Sequence, residues 1–137
     1  MTSPSKPVPK PEGLNAEFYA HCARRELRFQ RCECGVWRHP PRVLCAACGS
    51  DRWEWAAASG HGRVHTWTVT HQALHPAYAD DVPYALLVVE MDEGVRMVAT
   101  LRDLDPADLE LDLPVEVAFE PRSETITLPC FTPSKRR

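Results

Sequence analysis

Hydrophobic positions divide the chain into a helical stretch near the N-terminus and strand-like stretches in the second half. Between residues 14 and 28, apolar side chains at Leu14, Phe18 and Cys22 recur at helical spacing, with Ala, Glu and Arg filling the gaps. This spacing predicts an amphipathic helix over 14–28. Such a helix either docks on another surface or packs on its own domain.

From residue 60 onwards the pattern changes to short runs of β-branched and aromatic residues. Strands are predicted at 64–71, 84–91, 95–101, 114–120 and 124–128. Asp92, Glu93 and Gly94 predict a tight turn between the second and third strands. A single helical turn at Asp105–Leu109 separates the third strand from the fourth. Three strands, a short helix and two strands are the order of an OB-fold barrel.

The remaining residues form an arm and a middle module. Four prolines in the first thirteen residues predict a flexible, polyproline-like arm that is either disordered or docked. Residues 29–58 are rich in cysteine, glycine and proline and have almost no helical periodicity. The predicted fold class is mainly β: an arm (1–13), an N-terminal helix (14–28), a ribbon module (29–58) and a five-stranded OB-fold barrel (59–134).

Four cysteines in the ribbon module form two pairs, each followed directly by glycine: Cys32 and Cys34 before Gly35, and Cys45 and Cys48 before Gly49. Glycine accepts the positive φ of a knuckle turn, in which nearby backbone N–H groups point at the thiolates. Four thiolates leave no coordination position open. The pattern therefore predicts a zinc ribbon with one structural Zn²⁺, and so small a module needs the metal to fold.

The first cysteine pair departs from the usual zinc-ribbon spacing. Only Glu33 separates Cys32 from Cys34, whereas about two to four residues are typical. His39 or Cys22 could therefore replace one thiolate. A redox pair, an iron site and a ribbon without metal are the other interpretations, and Cys130 is expected to be an ordinary thiol.

Composition and charge restrict the classes of partner. A chain of 137 residues with thirteen prolines is the size of one domain and does not suit a helical bundle. Residues 1–60 carry nine Lys or Arg against six Asp or Glu, whereas residues 61–134 carry four against thirteen, a net of −9. Because nucleic-acid affinity depends on cationic neutralisation of phosphates, the acidic second half argues against nucleic acid as a partner.

Targeting signals and catalytic motifs are both missing from the sequence. The first thirteen residues lack the apolar region of a signal peptide, and no run of apolar residues is long enough to span a membrane. We therefore expect a cytoplasmic protein. In that reducing compartment its cysteines should bind metal rather than form disulfides. There is no nucleophile elbow, phosphate-binding loop or dinucleotide motif. We expect the chain to lack its own active site. Four histidines that lie close together in the sequence are expected to be surface or interface residues: His61, His65, His71 and His75.

Several segments carry a family resemblance. The sequence reads Gln-Arg-Cys-Glu-Cys-Gly at 30–35, His-Pro-Pro-Arg at 39–42 and Cys-Ala-Ala-Cys-Gly at 45–49, and the loop at 75–84 and the closing Thr-Leu-Pro at 127–129 fit as well. Over roughly residues 14–134 the chain resembles the domain-of-unknown-function family 35. The resemblance implies a rubredoxin-like zinc ribbon joined to an OB-fold and an association with acyl-CoA metabolism.

The resemblance also implies a function. Members of this family are non-catalytic partners of thiolase-like enzymes or aldolases, and of MaoC-like hydratases in steroid side-chain breakdown. We therefore expect an accessory or scaffold subunit of a hetero-oligomeric lyase or acyltransferase complex that positions acyl-CoA, with a steroid side-chain retro-aldolase or thiolase as its enzyme. The alternatives are a single-stranded nucleic-acid-binding OB-fold protein and a partner of a MaoC-like acyl-CoA hydratase.

Two segments are the candidate contact surfaces. The loop at 75–84 combines aromatic residues, acids and stiffening prolines, which suits docking, although it could equally be a rigid surface loop. Basic ribbon residues could face the phosphates of coenzyme A. The residues expected to contact the partner or acyl-CoA are Trp37, Arg38, Arg42, His75, Tyr78, Asp80, Asp81 and Tyr84.

Overall fold

The structure is a computed structural model that describes residues 5–135. Its elements, in chain order, are α1 (Leu14–Ala23), β1 (Arg28–Cys32), β2 (Trp37–Arg38), β3 (Trp53–Ala57), β4 (His61–Thr70), β5 (Tyr84–Met91), β6 (Arg96–Thr100), β7 (Pro114–Pro121) and β8 (Thr127–Pro133). Two short 3-10 helices lie at Pro76–Tyr78 and Pro106–Asp108. The start of the predicted arm, residues 1–4, lies outside the described residues.

Helix α1 is shorter than predicted. It ends at Ala23, and the backbone then reverses through Arg25, whose φ is 60°. The prediction of a helix to residue 28 was wrong because Leu27 and Phe29, both buried, already follow the alternating pattern of β1. The chain therefore turns back from the helix directly into the ribbon.

The ribbon is a three-stranded antiparallel sheet in the order β2-β1-β3. Strand β1 is central, with Gln30 opposite Arg38 on one side and opposite Trp55 on the other. The long connection between β2 and β3 carries the second cysteine pair. Val43 and Leu44 in this connection are exposed, so they add nothing to the ribbon interior.

The second half is a nearly closed barrel of five antiparallel strands in the order β6-β5-β4-β7-β8, which confirms the predicted OB-fold. The turn at Asp92–Gly94 and the helical turn after Asp105 are also as predicted, and the Asp105 side chain accepts from Ala107 N–H at 2.9 Å. The last strand was misplaced: it spans 127–133, not 124–128. Prolines at 129 and 133 hid it, because proline is tolerated only on a strand with a free edge.

Strands β6 and β8 flank the opening of the barrel, which we call the seam. One end of the seam is closed by a parallel bridge between Leu101 and Phe131, next to a 2.8 Å hydrogen bond from Arg102 N–H to the Phe131 carbonyl. Helix α1 packs beside β8, so Phe18 joins the same hydrophobic core as Phe29 and Phe131. Helix, ribbon and barrel thus share one core. Within residues 5–135, no helix is both long and apolar enough to cross a membrane.

Candidate metal centre and docking surface

The four paired cysteines meet at the tip of the ribbon. Their Sγ atoms all lie within 4.8 Å of one another, with 3.5 Å between Cys32 and Cys48 and 3.8 Å between Cys34 and Cys45. A zinc ion with Zn–S bonds of about 2.3 Å in a tetrahedral shell requires sulfur–sulfur distances of about 3.8 Å. The four sulfurs therefore fit a tetrahedral thiolate site.

The two knuckles have matching backbone geometry although the first pair is one residue shorter. Cys32 N–H donates to Val36 O at 2.9 Å, and Cys45 N–H donates to Ser50 O at 2.9 Å. The glycine after each pair has a positive φ, 92° at Gly35 and 76° at position 49. The shorter spacing is thus absorbed within the first turn, and all four sulfurs still converge.

Backbone N–H groups in the second knuckle stabilise a thiolate. Hydrogen bonds from Cys48 and Ala47 lower the pKa of Cys45 to about 6. At Cys48 the Ser50 N–H lowers the pKa, but hydrogen bonds among the neighbouring thiols and desolvation outweigh it and raise the pKa to about 12. Four sulfurs this close cannot all hold negative charge without a cation between them.

Neither substitute ligand considered from the sequence joins this cluster. His39 lies between the rings of Phe18 and Phe29, at 5.0 Å from each centroid, and burial lowers its pKa to about 4. Cys22 is in the core, where burial raises its pKa to about 12. Among residues 5–135, the group of four cysteines is the one cluster of possible metal ligands, so the four histidines at 61–75 form no such site.

A buried polar network supports the ribbon behind the cysteines. Arg38 is 7% exposed, and its guanidinium donates to the carbonyl oxygens of Arg42 and Val43 and to Gln30 Oε1, at 2.8–3.3 Å. Gln30, fully buried, also accepts from Arg42 N–H at 2.7 Å. Arg38, expected to face acyl-CoA, instead holds the loop after β2. The structural role of Gln30 was not predicted from the sequence, although a glutamine between Phe29 and the cysteine of β1 was a signal for a buried hydrogen-bonding partner.

The other ribbon residues expected to make contacts differ in exposure. Trp37 is half-buried under the Arg31 guanidinium, 5.6 Å from its ring centroid. The side chain of Arg42 is exposed, and only its backbone takes part in the network. Arg42 is therefore the candidate from the ribbon that can still meet an anionic group.

The loop at 75–84 is internally organised. His75 Nδ1 accepts from Ala77 N–H at 3.0 Å and caps the 3-10 helix, and the ring of Tyr78 lies 5.8 Å from that of Tyr84. Asp81 pairs with Lys6 at 2.6 Å, whereas Asp80 is exposed. The structure thus brings four of the five predicted loop residues into one cluster and leaves Asp80 on the surface.

Exposed apolar side chains near the loop and the ribbon tip were not predicted as contacts. Leu74 is 87% exposed beside the loop, Val98 is 57% exposed on β6, and Val43 and Leu44 are exposed near the cysteines. Because these residues lie in three separate segments, each is a candidate contact by its exposure and not part of one shown patch. The alternation of inward and outward positions along β6 could have predicted that Val98 is exposed, but nothing in the sequence indicated that Leu74 would be exposed rather than buried.

Two family models match successive parts of the chain. The model described as the ChsH2 rubredoxin-like zinc ribbon domain matches residues 20–54, and the ChsH2 C-terminal OB-fold domain matches residues 55–120. The chain belongs to the ChsH2 family. The boundary between the two ChsH2 models falls in β3, where the ribbon leads into the barrel.

Relatives of this ChsH2-family chain include proteins of two sizes. It is 35% identical over 130 residues to a "probable enoyl-CoA hydratase alpha subunit" of Thermomonospora curvata, covering 94% of this chain and 40% of that protein. It is also 35% identical over 104 residues to the "3-oxo-4,17-pregnadiene-20-carboxyl-CoA hydratase alpha subunit" of Mycobacterium tuberculosis, covering 76% and 33%. The chain thus spans 40% or less of either hydratase subunit.

Matches of similar length come from a scaffold protein and a solved complex. A "DUF35 domain-containing scaffold protein" of Methanothermobacter thermautotrophicus is 32% identical over 98 residues, which are 70% of this chain and 73% of that one. A chain of the solved "Ltp2-ChsH2(DUF35) aldolase" is 35% identical with a TM-score of 0.84, over 92% of this chain and 98% of that one. The ribbon and barrel of this ChsH2-family chain are thus found together as a unit.

Proposed function

We propose that this chain is a non-catalytic accessory subunit of an acyl-CoA-processing enzyme with a thiolase-like fold, and that the enzyme is a steroid side-chain retro-aldolase or thiolase. The observation that carries the proposal is the match to nearly the whole of one chain of the Ltp2-ChsH2(DUF35) aldolase. The scaffold relative supports the accessory role. The pregnadiene-carboxyl-CoA hydratase relative supports a steroid acyl-CoA as substrate class.

The ribbon would hold one structural Zn²⁺ per chain through Cys32, Cys34, Cys45 and Cys48. The fit of the four sulfurs to a tetrahedron supports this assignment. Four thiolates complete the shell, so the ion would cross-link the two knuckles and leave no position for substrate. Native protein should contain one equivalent of zinc by elemental analysis, and iron in its place would contradict the assignment.

The partner would dock on the face that carries Leu74 and the loop at 75–84. Leu74 offers apolar area that the described structure leaves uncovered, and the loop that follows it carries the half-buried aromatic pair of Tyr78 and Tyr84. Asp80, exposed in the same loop, adds a charge at the rim. Arg42, exposed on the ribbon, would meet the phosphates of acyl-CoA at a shared interface.

Thiol chemistry by the chain itself is disfavoured. Cys22 and Cys130 are buried in the core, and burial raises the pKa of both thiols, so neither supplies a thiolate near neutral pH. The other four cysteines are engaged in the ribbon cluster. This distribution supports an accessory role in which the partner performs the reaction.

A MaoC-like acyl-CoA hydratase is the second candidate partner. The observation that favours it is the name of the two longer relatives, both hydratase alpha subunits. The chain spans 40% or less of those proteins, and the remaining part of each is where a hydratase domain would lie. We place the aldolase-type partner first because its complex matches this chain end to end.

Co-purification with genomic neighbours tests the proposal. Tagged chain is expressed with an adjacent thiolase-like protein and, separately, with an adjacent hydratase-like protein, and the complexes are measured by light scattering. We expect a stable complex with the thiolase-like protein, weakened at least tenfold by Leu74→Asp. The matched control is Leu111→Asp, which also places a charge at an exposed leucine but lies in the segment after β6, away from the loop.

Other outcomes would favour other functions. A chain that stays monomeric beside a thiolase-like neighbour that is fully active alone would overturn the accessory role. Preferential assembly with the hydratase-like neighbour would favour the second candidate. Tight, salt-dependent binding to a single-stranded oligonucleotide would instead favour the nucleic-acid alternative, against which the net charge of −9 over residues 61–134 argues.

A further inference from the structure

A cavity of about 610 Å³ lies at the seam between β6 and β8. Most of its wall is aromatic or aliphatic, with contributions from Phe18, Tyr19, Tyr78, Tyr84, Leu86, Val98, Leu128 and Pro129. The lining contains no Asp or Glu, and its two cations are Lys10 and Arg122. In a barrel with a net charge of −9, this lack of carboxylates suits a bulky apolar ligand that is neutral or anionic.

The proline-rich arm forms one side of this cavity. Pro9, Lys10 and Pro11 line it together with residues of the seam strands. Prolines at 7, 9 and 11 favour an extended polyproline conformation, which lies along an aromatic surface with little loss of entropy. The arm thus runs from α1 along the border of the cavity.

The far end of the arm is tied to the opposite wall. Lys6 Nζ lies 2.6 Å from Asp81 Oδ2 and 5.4 Å from the ring centroid of Tyr78. Tyr78 in turn packs against Tyr84, and both tyrosines line the cavity. We call the contacts of Lys6 with Asp81 and Tyr78 the latch. Its charged side chains are 29% and 39% exposed, so water and salt weaken it and it can open readily.

We propose that the arm is a strap that controls access to a ligand site in the seam cavity, and that the latch holds the strap closed. The strap borders the cavity through Pro9 and Pro11 and is fastened by Lys6. Release of Lys6 frees the segment before Pro11 and uncovers the aromatic wall. The proposal rests on the geometry of the arm and the cavity; because Tyr78 and Tyr84 also belong to the proposed docking face, it is tested on the chain without a partner enzyme.

Charge reversal in the full-length, zinc-loaded chain tests the strap. The probe is N-phenyl-1-naphthylamine, a neutral apolar fluorophore, so the change of charge does not itself attract it. We expect Lys6→Glu or Asp81→Lys to increase probe affinity about three- to tenfold, the range that a weak ion pair with a cation–π contact allows. The double variant Lys6→Glu/Asp81→Lys restores the ion pair and should return affinity towards the wild-type value.

Nitrogen-15 relaxation of the Val8 and Lys10 amides reports the order of the arm in the same variants. These amides should be ordered in the wild type and mobile on the ps–ns timescale in Lys6→Glu. The matched control is Lys10→Glu, which makes the same charge change in the arm at a side chain that has no ion pair among the described residues. It should leave the order of the arm unchanged.

Three results would overturn the proposal. An arm that stays ordered in Lys6→Glu would show that the latch does not hold it. A mobile arm with unchanged probe affinity would show that the arm does not control access. Probe binding that survives addition of Val98→Glu, a carboxylate on the exposed rim of the cavity, would place the probe elsewhere.

Discussion

The ribbon and the barrel have different interiors. Between residues 30 and 54 the buried side chains are Gln30, Cys32, Arg38 and Cys45, all polar or thiol-bearing. The barrel interior is instead aliphatic and aromatic, with fully buried residues such as Val64, Leu87 and Phe131. The distal ribbon therefore depends on directional bonds to specific partners, whereas the barrel depends on burial of apolar area.

This difference predicts how the stability of each region should respond to substitution. A directional interior is weakened when one partner is removed, because some of the remaining buried groups lose a hydrogen bond. An apolar interior loses stability in proportion to the volume removed. Because Phe29 joins the ribbon to the common core, damage at the ribbon tip should stop before it reaches the barrel.

The largest effect should follow loss of the metal. Chelation of zinc, or Cys45→Ser, should unfold the distal ribbon while the barrel stays folded, since zinc supplies on the order of 10 kcal/mol in comparable modules. Hydrogen exchange by mass spectrometry should show protection lost in residues 30–54 and retained in β5. Cys130→Ser, outside the cluster, is the control. Simultaneous loss of protection in β5 would contradict the separation of the two regions.

The second largest effect should come from a substitution that creates a cavity inside the barrel. Leu87→Ala should lower the free energy of unfolding by about 2–5 kcal/mol, because Leu87 is fully buried in β5. Urea denaturation followed by circular dichroism measures it. Val43→Ala, at a residue that is 64% exposed in the ribbon, should change stability by less than about 0.5 kcal/mol. Comparable losses in the two variants would mean that Val43 is buried in solution.

The third effect is a pH dependence at the junction of the two regions. Burial between Phe18 and Phe29 lowers the pKa of His39 from 6.5 to about 4, so the unfolded chain binds a proton more readily. The free energy of unfolding should have its full value above pH 6.5 and should fall by up to about 3 kcal/mol as the pH drops to 4. Below pH 4 protonation of His39 should cause no further loss.

Comparison of variants isolates this contribution from zinc release, which acid also causes. His39→Phe should reduce the loss of stability between pH 6.5 and 4 in thermal melts, whereas His71→Gln, at an exposed histidine, should retain it. An identical pH dependence in wild type and His39→Phe would exclude the buried imidazole as its origin.

The smallest effect should arise from the polar network. Arg38→Met should destabilise the ribbon by about 1–3 kcal/mol, since it removes the side-chain donor to the Val43 carbonyl and one of the two donors to Arg42 O and to Gln30 Oε1. Increased hydrogen exchange at residues 39–44 measures it. Arg31→Met removes an exposed arginine from the adjacent position in β1 and is the control. Equal exchange in both variants would argue against a structural role for Arg38.

Local signals predicted the architecture well. Cysteine pairs ending in glycine located the knuckles, a run of apolar and β-branched residues located β5 with its exact limits, and an Asp-Pro pair located the helical turn after β6. Each of these features depends on interactions between neighbours in sequence. The same reasoning failed at Leu27, where burial in the core decided between helix and strand, and at β8, whose prolines are tolerated because of the seam.

The candidate site was predictable only in part for a related reason. Arg38 looked like a surface cation because arginine is seldom buried, and the sequence did not indicate that Gln30 and two carbonyl groups would surround it. Likewise, Lys6 and Asp81 are separated by 75 positions, so their pairing follows from the tertiary path of the arm. Contacts between distant residues need the folded chain.

The seam also bears on how the protein avoids aggregation. Strands at the ends of an open sheet carry backbone groups that can pair with another chain and begin edge-to-edge growth. Here β8 has prolines at 129 and 133, which cannot donate, β6 is five residues long, and α1 packs beside β8. These features blunt the edge that an incomplete barrel leaves. Selection for solubility would therefore preserve a helix at this position even where its contribution to packing is small.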